Sequence, residues 1–333
     1  GDIVDRFHFE AKPVEPFTLG LLSELRVGLG ADHVYQDDQG SFLDDDSAYR
    51  LFGTIHYPGE EVFAGLMIMH RMQDDADGDR YETTTIDAHT RWQAPFYRLN
   101  AELKVEAEAA LVIGETDRER PRAHTNGVDI IAAGVAARAD LAWRCPRLAL
   151  GLEAGFASGD ADPEDGESRA FTFDPDHRVG FILFSDVLRQ ISLRAAERVA
   201  DAERVGLPPA GVEQMPTDGG VRNAIYVNPA LTWRPGASEV SIMALAAWAA
   251  TPFQDPYETF EAGGEPRNHQ GRVAERFYGV ESALAVFHAF GAKGRLPLRV
   301  GVQSGVLLTG SALGRRLSEA PVWKVVGSVD LRW

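Results

Sequence analysis

The sequence predicts an all-β protein, a transmembrane antiparallel up-and-down β-barrel of about thirteen strands with one long loop that carries a short helix. Three observations lead to this fold class. Long segments alternate apolar and polar residues with a period of two, as half-buried strands do. Their connections alternate between short turns and long polar loops, which is the layout of outer-membrane barrels. The tryptophans fall near segment ends, where such barrels carry aromatic girdles.

The segment Arg98–Ile113 has the clearest alternation. Every second residue from Leu99 onward is apolar, whereas the opposite parity contains Lys104 and Glu106. A strand of about sixteen residues is long for a globular protein, in which strands average roughly 5–6. It suits a tilted membrane strand, which needs roughly 9–11 residues inside the bilayer and can project beyond it.

The same alternation recurs along the chain. In six further segments most residues at alternate positions are apolar: Leu19–Ala31, Ile131–Trp143, Leu148–Phe156, Ile225–Trp233, Val300–Val306 and Trp323–Trp333. In the first of them Glu24 and Arg26 lie on the opposite, polar parity. The last strand ends on the short-turn rim, and the first, Ile3–Ala11, starts on the long-loop rim. Bacterial barrels have even strand numbers with both ends on one side. We therefore expect residues 1–333 to be one barrel domain that lacks one or more N-terminal strands, with fourteen or more in the intact protein.

The connections between these segments fall into two length classes. The short ones are Pro13–Pro16, Pro58–Glu60, Gln93–Pro95, Cys145–Pro146, Pro235–Gly236 and Gly291–Pro297. The long polar ones are Asp32–Ser47, Gln73–Asp79, Glu115–Asn126, Ser158–Gly220, Thr251–Arg272 and Gly310–Pro321. This alternation predicts one rim of turns and one rim of loops.

The loop over residues 158–220 is too long to lack structure of its own. Ser185 is suited to cap a helix, Asp186 follows it in the first turn, and Gly206 ends it. The spacing of apolar residues predicts an amphipathic helix over about 185–205. This helix would lie on the outer rim of the barrel or fold into its mouth.

Composition narrows the function classes. A net charge of −17 argues against nucleic acid and against polybasic docking on an anionic membrane surface. A single cysteine, Cys145, excludes an internal disulfide. There is no apolar stretch long enough for a membrane helix. The N-terminus carries no signal-peptide pattern, so we expect that a leader has been removed or that the chain is a fragment.

A motif at the start of the long loop resembles the alginate-export type of outer-membrane barrel, and also related uncharacterised myxobacterial barrel proteins. Its residues are Ser158, Gly159, Asp160 and Asp162, followed by Phe173, Asp174, Pro175 and His177. The motif covers about twenty-five residues, and its second part departs from the alginate-export pattern. The resemblance implies a channel in the bacterial outer membrane, in the alginate case for an anionic polysaccharide.

The polar parity supplies candidates for a pore lining. They are Arg26, Arg50, Arg91, Glu102, Lys104, Glu106, Arg138, Glu153, Arg299, Lys324 and Arg332. These charges either pair across neighbouring strands or form a selectivity zone. Large residues on the same parity favour a plugged lumen, and glycines favour an open one. The large residues are Phe52, Phe63, Met67 and Met243, and the glycines are Gly28, Gly134, Gly151, Gly301 and Gly305.

Catalytic and metal sites have little support in the sequence. Asp160, Asp162 and Glu164 could bind calcium, but their spacing does not fit an EF-hand, and a solvated acidic loop is favoured. For His177 a packing role is favoured. Ser282 and His288 share the lipid-facing parity, without a serine motif around them. We expect no enzymatic activity, no cofactor and no resident metal.

The sequence therefore predicts an outer-membrane channel, of porin or exporter type, constricted by the long loop. It would pass small polar or anionic solutes, with a polysaccharide as one candidate. The alternative is a closed structural or adhesion barrel that presents acidic outer loops to a partner, and a third possibility is a soluble β-rich protein. The expected surroundings are outer-membrane lipid and lipopolysaccharide, with no nucleic acid.

Overall fold

The structure is a computed structural model. It describes residues 3–13, 21–37, 40–41, 46–76, 78–119, 124, 126–145, 147–163, 165–200, 216–291, 298–314 and 321–331. None of the helices in these ranges is long and apolar enough to cross a membrane.

Thirteen long strands within the described residues form one sheet in which each strand pairs antiparallel with its neighbours in sequence. They are β1 Ile3–Ala11, β2 Arg26–Asp37, β3 Ser47–Pro58, β4 Val62–Asp74, β5 Arg80–Phe96, β6 Ala101–Thr116, β7 Val128–Trp143, β8 Leu148–Ala157, β9 Ala224–Trp233, β10 Ser238–Trp248, β11 Phe277–Phe290, β12 Leu298–Thr309 and β13 Val322–Leu331. This order confirms the predicted all-β, up-and-down class.

Two short strands join the sheet from its side. Gly40–Ser41 pairs antiparallel with the end of β2, and Glu167–Ser168 pairs parallel with the start of β7. The long strands β1 and β13 are the two edges, so the sheet is not closed within the described residues.

One face of the sheet is apolar and exposed. Residues directly opposite in an antiparallel pair share a face, so the register can be followed from strand to strand. Leu231 pairs with Ile242, and Ile242 pairs with Leu284 on the next strand. Ile242 is 53% exposed, although it lies in the interior of a sheet. The parity predicted from the sequence is thus a continuous apolar surface with no protein layer on it among the described residues.

Tryptophans bound this apolar face. The described ones, Trp92, Trp143, Trp233, Trp248 and Trp323, lie on the apolar parity near strand ends. Trp248 pairs with Ile225, eight residues before Trp233 on β9. Eight residues span about 27 Å along a strand, or about 20 Å in height for a strand tilted by about 40°. That height is close to the roughly 25 Å apolar band of outer-membrane barrels.

The predicted alternation of short and long connections holds from β3 onward. At one end of the strands, the short-turn rim, the intervals between consecutive strands are 59–61, 97–100, 144–147, 234–237 and 291–297; at the other end, the long-loop rim, they are 75–79, 117–127, 158–223, 249–276 and 310–321. Before β3 the alternation fails, because the interval 12–25 between β1 and β2 is longer than the interval 38–46 between β2 and β3. Parts of these intervals lie outside the described residues. Cys145 is exposed in one of the short turns.

Strand β2 differs from its prediction at both ends. Leu21–Glu24 is a 3-10 turn, and Glu24 bonds to Lys12 beyond the end of β1 instead of facing along the strand. At the other end, Asp32 lies within the strand and not in a loop, because it is held by guanidinium groups of both neighbouring strands. Ion pairing keeps this polar segment in the sheet, which residue polarity alone did not indicate.

The helix of the long loop begins before its predicted start. Leu183–Leu188 is a π-helical segment, and helix α1, Arg189–Ala200, continues it. Residues 201–205 of the predicted helix lie outside the described residues. Ser185 does not cap it, since its hydroxyl donates to the carbonyl of Phe181 inside the first turn.

A second helix was not predicted. Helix α2, Pro256–Glu261, lies in the loop that follows β10. Asp255 caps it by accepting a hydrogen bond from the Glu258 amide, and Pro256 opens its first turn. This Asp-Pro start signal was present in the sequence.

Candidate functional site

The long loop packs against the polar face of the sheet. Val179, Ile182, Leu183 and Phe184 are at most 2% exposed. They form one cluster with side chains of the strands beneath, including Tyr226, Leu245, Tyr278 and Leu307. The polar face of the C-terminal half is thus covered by the chain's own loop, and its core lies between loop and sheet.

Glu281 on β11 anchors the loop. Its carboxylate is fully buried and accepts hydrogen bonds from the backbone amides of Phe181 (2.5 Å), Ile182 (3.0 Å) and Leu183 (2.8 Å). These amides are the unpaired donors at a helix start, where a negative charge is stabilised. Burying a carboxylate without such donors would cost several kcal/mol. The loop amides therefore provide the hydrogen bonds that the Glu281 carboxylate needs, and the carboxylate accepts amides that have no other partner in the helix.

A lysine on the edge strand adds a second anchor. Lys324 donates to the Phe181 carbonyl at 3.0 Å and to Asp186 Oδ2 at 2.6 Å. The first turn of the helix is therefore held from β11 and from β13.

The first half of the resembling motif shapes the loop entrance. The Ser158 hydroxyl donates to the Arg169 carbonyl and accepts from the Ala133 amide of β7. A side chain on Gly159 would collide with Asn223, since a Cβ there would lie 2.0 Å from its amide oxygen. This part of the motif is therefore structural.

The calcium candidates do not form a ligand set in the described residues. Asp160 uses both carboxylate oxygens to accept backbone amides, from Asp162 at 3.0 Å and from Arg169 at 3.0 Å. Burial raises the pKa of Asp160, and the two amide donors oppose this. Glu164 lies outside the described residues, and the remainder contains no group of three candidate ligands.

The second half of the motif brings His177 to the sheet. Asp174 accepts the backbone amide of Asp176 through its side chain, and its carbonyl accepts the amide of His177. This tight turn directs His177 Nε2 to within 3.1 Å of Glu153 Oε1 on β8. The hydrogen bond to that carboxylate raises the pKa of His177.

Tyr226 completes a three-residue cluster with Glu153 and His177. Its hydroxyl donates to Glu153 Oε1 at 2.9 Å and lies 3.4 Å from His177 Nε2. Phe173 packs edge-on against both rings. The acid–base partner of His177 is thus a strand carboxylate, and not the neighbouring Asp174 or Asp176.

Between the loop and strands β5–β8 lies a cleft of about 610 Å³. Gly134, Ala136, Phe171 and Phe173 contribute to its apolar walls. Its charged walls are formed by Glu106, Glu108, Arg138, Glu153, Asp174 and Asp176, with the imidazoles of His89 and His177. A cavity of this size can admit a small organic molecule.

The described pore-lining candidates all share the polar face, and Arg332 lies outside the described residues. Most of them are paired with neighbours. The pairs are Arg26 with Glu10, Arg50 with Asp32, Lys104 with Glu106, Arg138 with Asp140 and Glu153, Arg299 with Glu239, Lys324 with Asp186, Glu102 with Gln93, and Arg91 over the ring of Phe63. Pairing across strands, one of the two readings left open, accounts for Arg26, Arg50 and Arg299, whereas Lys104 pairs with Glu106 on its own strand and Lys324 pairs with the loop. The pore-lining role of the set stays a prediction.

Three of the polar-face glycines, Gly134, Gly301 and Gly305, lie beneath aromatic rings. A Cβ on Gly134 would lie 2.4 Å from the ring of Phe171, and one on Gly301 would lie 2.1 Å from the ring of Phe287. Phe181 covers Gly305. The missing side chains make room for aromatic rings. Of the remaining residues, Phe52, Phe63, Met67 and Met243 face the same side of the sheet, as do Gly28 and Gly151.

Ser282 and His288 do not meet. They face the apolar side of β11 six residues apart, about 20 Å along the strand. The His288 ring instead bonds to Ser238 on β10, with 2.8 Å between Nδ1 and the hydroxyl oxygen.

Comparisons with known proteins concern the whole chain. No family model and no curated protein matches the sequence, and the alginate-export resemblance stays a prediction. Among solved structures, the chain is similar to OccK11 (OpdR) of Pseudomonas aeruginosa, with 9% identity, a TM-score of 0.43 and coverage of 93% of this chain and 66% of that one. This chain therefore spans slightly under two thirds of OccK11.

Two further solved structures show a similar degree of likeness. The outer membrane phospholipase of Salmonella typhi has 7% identity and a TM-score of 0.31, with coverage of 86% of this chain and 79% of that one. The siderophore receptor PirA of Pseudomonas aeruginosa has 8% identity and a TM-score of 0.37, with coverage of 92% and 59%.

Sequence reasoning missed several residues of this site. Glu281 is the largest omission, although its nearest neighbours on the same parity of β11 are the small residues Gly279, Ala283 and Ala285. A carboxylate flanked by small residues on a polar face leaves room for a segment to pack over it. The sequence placed Glu108 and Tyr226 on the polar face of their strands, but only the fold shows that they lie beside the loop.

Proposed function

We propose that the chain forms a channel in the bacterial outer membrane for small polar solutes, constricted by its long loop. The observation that carries this proposal is the two-sided sheet. Its exposed apolar face is bounded by tryptophans near both rims, whereas its opposite face is charged. In water such an apolar face would be exposed at great cost, and in lipid it matches the solvent.

The loop supports the constricting part of the proposal. It covers the polar face of β9–β12 and leaves the cleft beside β5–β8. Lipopolysaccharide and lipid would surround the apolar face. The anionic solutes and polysaccharide suggested by the sequence remain candidates, but the carboxylates of the cleft oppose them.

Blocking the cleft by a chemical label tests this function. In a Cys145→Ser background, Glu108→Cys places a thiol in the cleft, and Leu111→Cys places one on the apolar face of the same strand. A bulky charged methanethiosulfonate reagent is added to single channels in a planar bilayer. We expect current block at position 108 and none at position 111.

A closed structural or adhesion barrel is the second candidate. The buried cluster between loop and sheet favours it, because it fills the polar face of several strands. Correctly folded protein that gives no current steps in either variant would rule out the channel and leave the closed barrel ahead. Equal block at both positions would also contradict the assignment of the cleft as the path.

A further inference from the structure

We infer that the cleft is selective for cations and binds small organic ammonium ions. The inference rests on the proposed function and names its solute class. It starts from the cleft itself, whose volume of about 610 Å³ leaves room for a small molecule between loop and strands.

The charges that face this cavity are predominantly negative. Five carboxylates face one guanidinium, which leaves a net charge of −4 when both imidazoles are neutral and −2 when both are protonated. The carboxylates come from both walls: Glu106 and Glu108 from β6, Glu153 from β8, and Asp174 and Asp176 from the loop. A path between two walls of one sign concentrates the opposite ion.

The single guanidinium is already neutralised. Arg138 donates to both oxygens of Asp140, at 2.7 Å and 3.1 Å, and lies 3.9 Å from Glu153. Asp140 does not line the cavity. The positive charge of Arg138 is therefore directed mainly to a carboxylate outside the cleft. Inside it, Glu106 is paired with Lys104 at 2.7 Å and Glu153 is bonded to His177 and Tyr226. The negative field of the cleft therefore comes mainly from Glu108, Asp174 and Asp176.

Aromatic rings supply the second element of the site. Phe171 and Phe173 form one wall of the cavity and meet edge-to-face, with ring centroids 5.7 Å apart. Phe171 is partly exposed towards the cleft, held there over Gly134. Ring faces together with carboxylates are the chemistry that recognises alkylated ammonium groups. An inorganic cation needs only the carboxylates, so the rings favour an organic one.

Ion selectivity of the reconstituted full chain tests the electrostatic part. The permeability ratio of K⁺ to Cl⁻ is measured from reversal potentials in a KCl gradient. We expect a ratio several-fold above one, which falls towards one in the Glu106→Gln/Glu108→Gln double variant. Glu239→Gln is the control, because Glu239 lies on the polar face of β10 outside the cleft and is not one of the pore-lining candidates. A ratio at or below one, or an equal fall in the control, overturns the inference.

Choline chloride tests the organic part and separates the two proposals. Choline should bind to the detergent-folded chain in calorimetry and bind about tenfold more weakly to the double variant, since each neighbouring charge contributes a few-fold in a wet site. Phe171→Leu should weaken choline about threefold without changing the K⁺/Cl⁻ ratio. Choline binding without any conductance would refute the channel and keep the binding site. Conductance without choline binding would refute the binding site. Equal choline affinity of the unmodified chain and the double variant would refute it as well.

Discussion

An arginine in the middle of the apolar face gives the sharpest test of membrane insertion. Leu284 on β11 lies on this face, pairs with Ile242 and Ser304, and is 42% exposed. Its neighbour Ala285 faces the polar side, beside Ser241 and Gln303. The variants Leu284→Arg and Ala285→Arg therefore add the same charge one residue apart, on opposite faces of the sheet.

The expected magnitude follows from the depth of Leu284. Its partner Ile242 lies two residues from Val240, which is opposite Trp233, and six residues from Trp248. It is thus about two residues, or roughly 5 Å in height, from the middle of the band. Arginine costs about 2–4 kcal/mol at the midplane and less towards the interfaces. We expect Leu284→Arg to destabilise the chain by about 2 kcal/mol, about thirtyfold in the folding equilibrium.

Reversible urea unfolding from phospholipid vesicles measures this difference, with heat-modifiable migration as a check of folding. Ala285→Arg should change the free energy of unfolding little, because its side chain would enter a polar environment. If the apolar face were in water, Leu284→Arg would also fall within about 0.5 kcal/mol, as surface substitutions usually do. Equal stability of the two variants would therefore refute the membrane assignment.

Three further predictions concern the loop and the rims. Glu281→Gln should release the loop, since each hydrogen bond to a charged group contributes about 1.5–3 kcal/mol. Limited proteolysis with trypsin should then cleave after Arg189 or Arg194 faster than in the control variant Glu239→Gln. The hydrogen bond to Glu153 raises the pKa of His177, so protonated His177 should stabilise the docked loop fully below its ordinary pKa of about 6.5. This contribution should be lost as the pH rises through the raised pKa. Protection of the loop from protease should therefore fall over that range and stay constant in His177→Asn, and protection that increases with pH would contradict the pairing. Outer-membrane barrels have short periplasmic turns and longer extracellular loops. Cys145, exposed in a short turn, should therefore resist a membrane-impermeant maleimide in intact cells and react after the outer membrane is permeabilised. Labelling in intact cells would contradict a periplasmic position of this turn.

Strand pattern was predictable because it depends on local periodicity. β6 repeats apolar and polar residues through sixteen positions, and its pairing with β5 and β7 keeps that alternation without a shift. Before the start of β2 the alternation predicted a strand where the chain forms a 3-10 turn, because the four residues Leu21–Glu24 fit either structure. A period of two has to continue over more than four residues before it identifies a strand.

The site was less predictable because its contacts join distant parts of the chain. His177 and Glu153 were each singled out, but their bond depends on a turn made by Asp174 and on the register of β8. The neighbours of the polar-face glycines were unpredictable for a related reason. An absent side chain shows only that space is needed, and Phe171 over Gly134 shows what fills it.

The bonds of Glu281 to the loop join residues about one hundred positions apart in the chain. Because the acceptor lies on a strand so far along the chain, the turn at Phe181–Leu183 has no carboxylate to receive its amides until β11 has paired. Closing such a long segment is slow compared with forming a hairpin between adjacent strands. Assembly should therefore proceed as a sequence of hairpins that ends with the loop settling into place. A chain that ends before β11 would lack the carboxylate that anchors this segment.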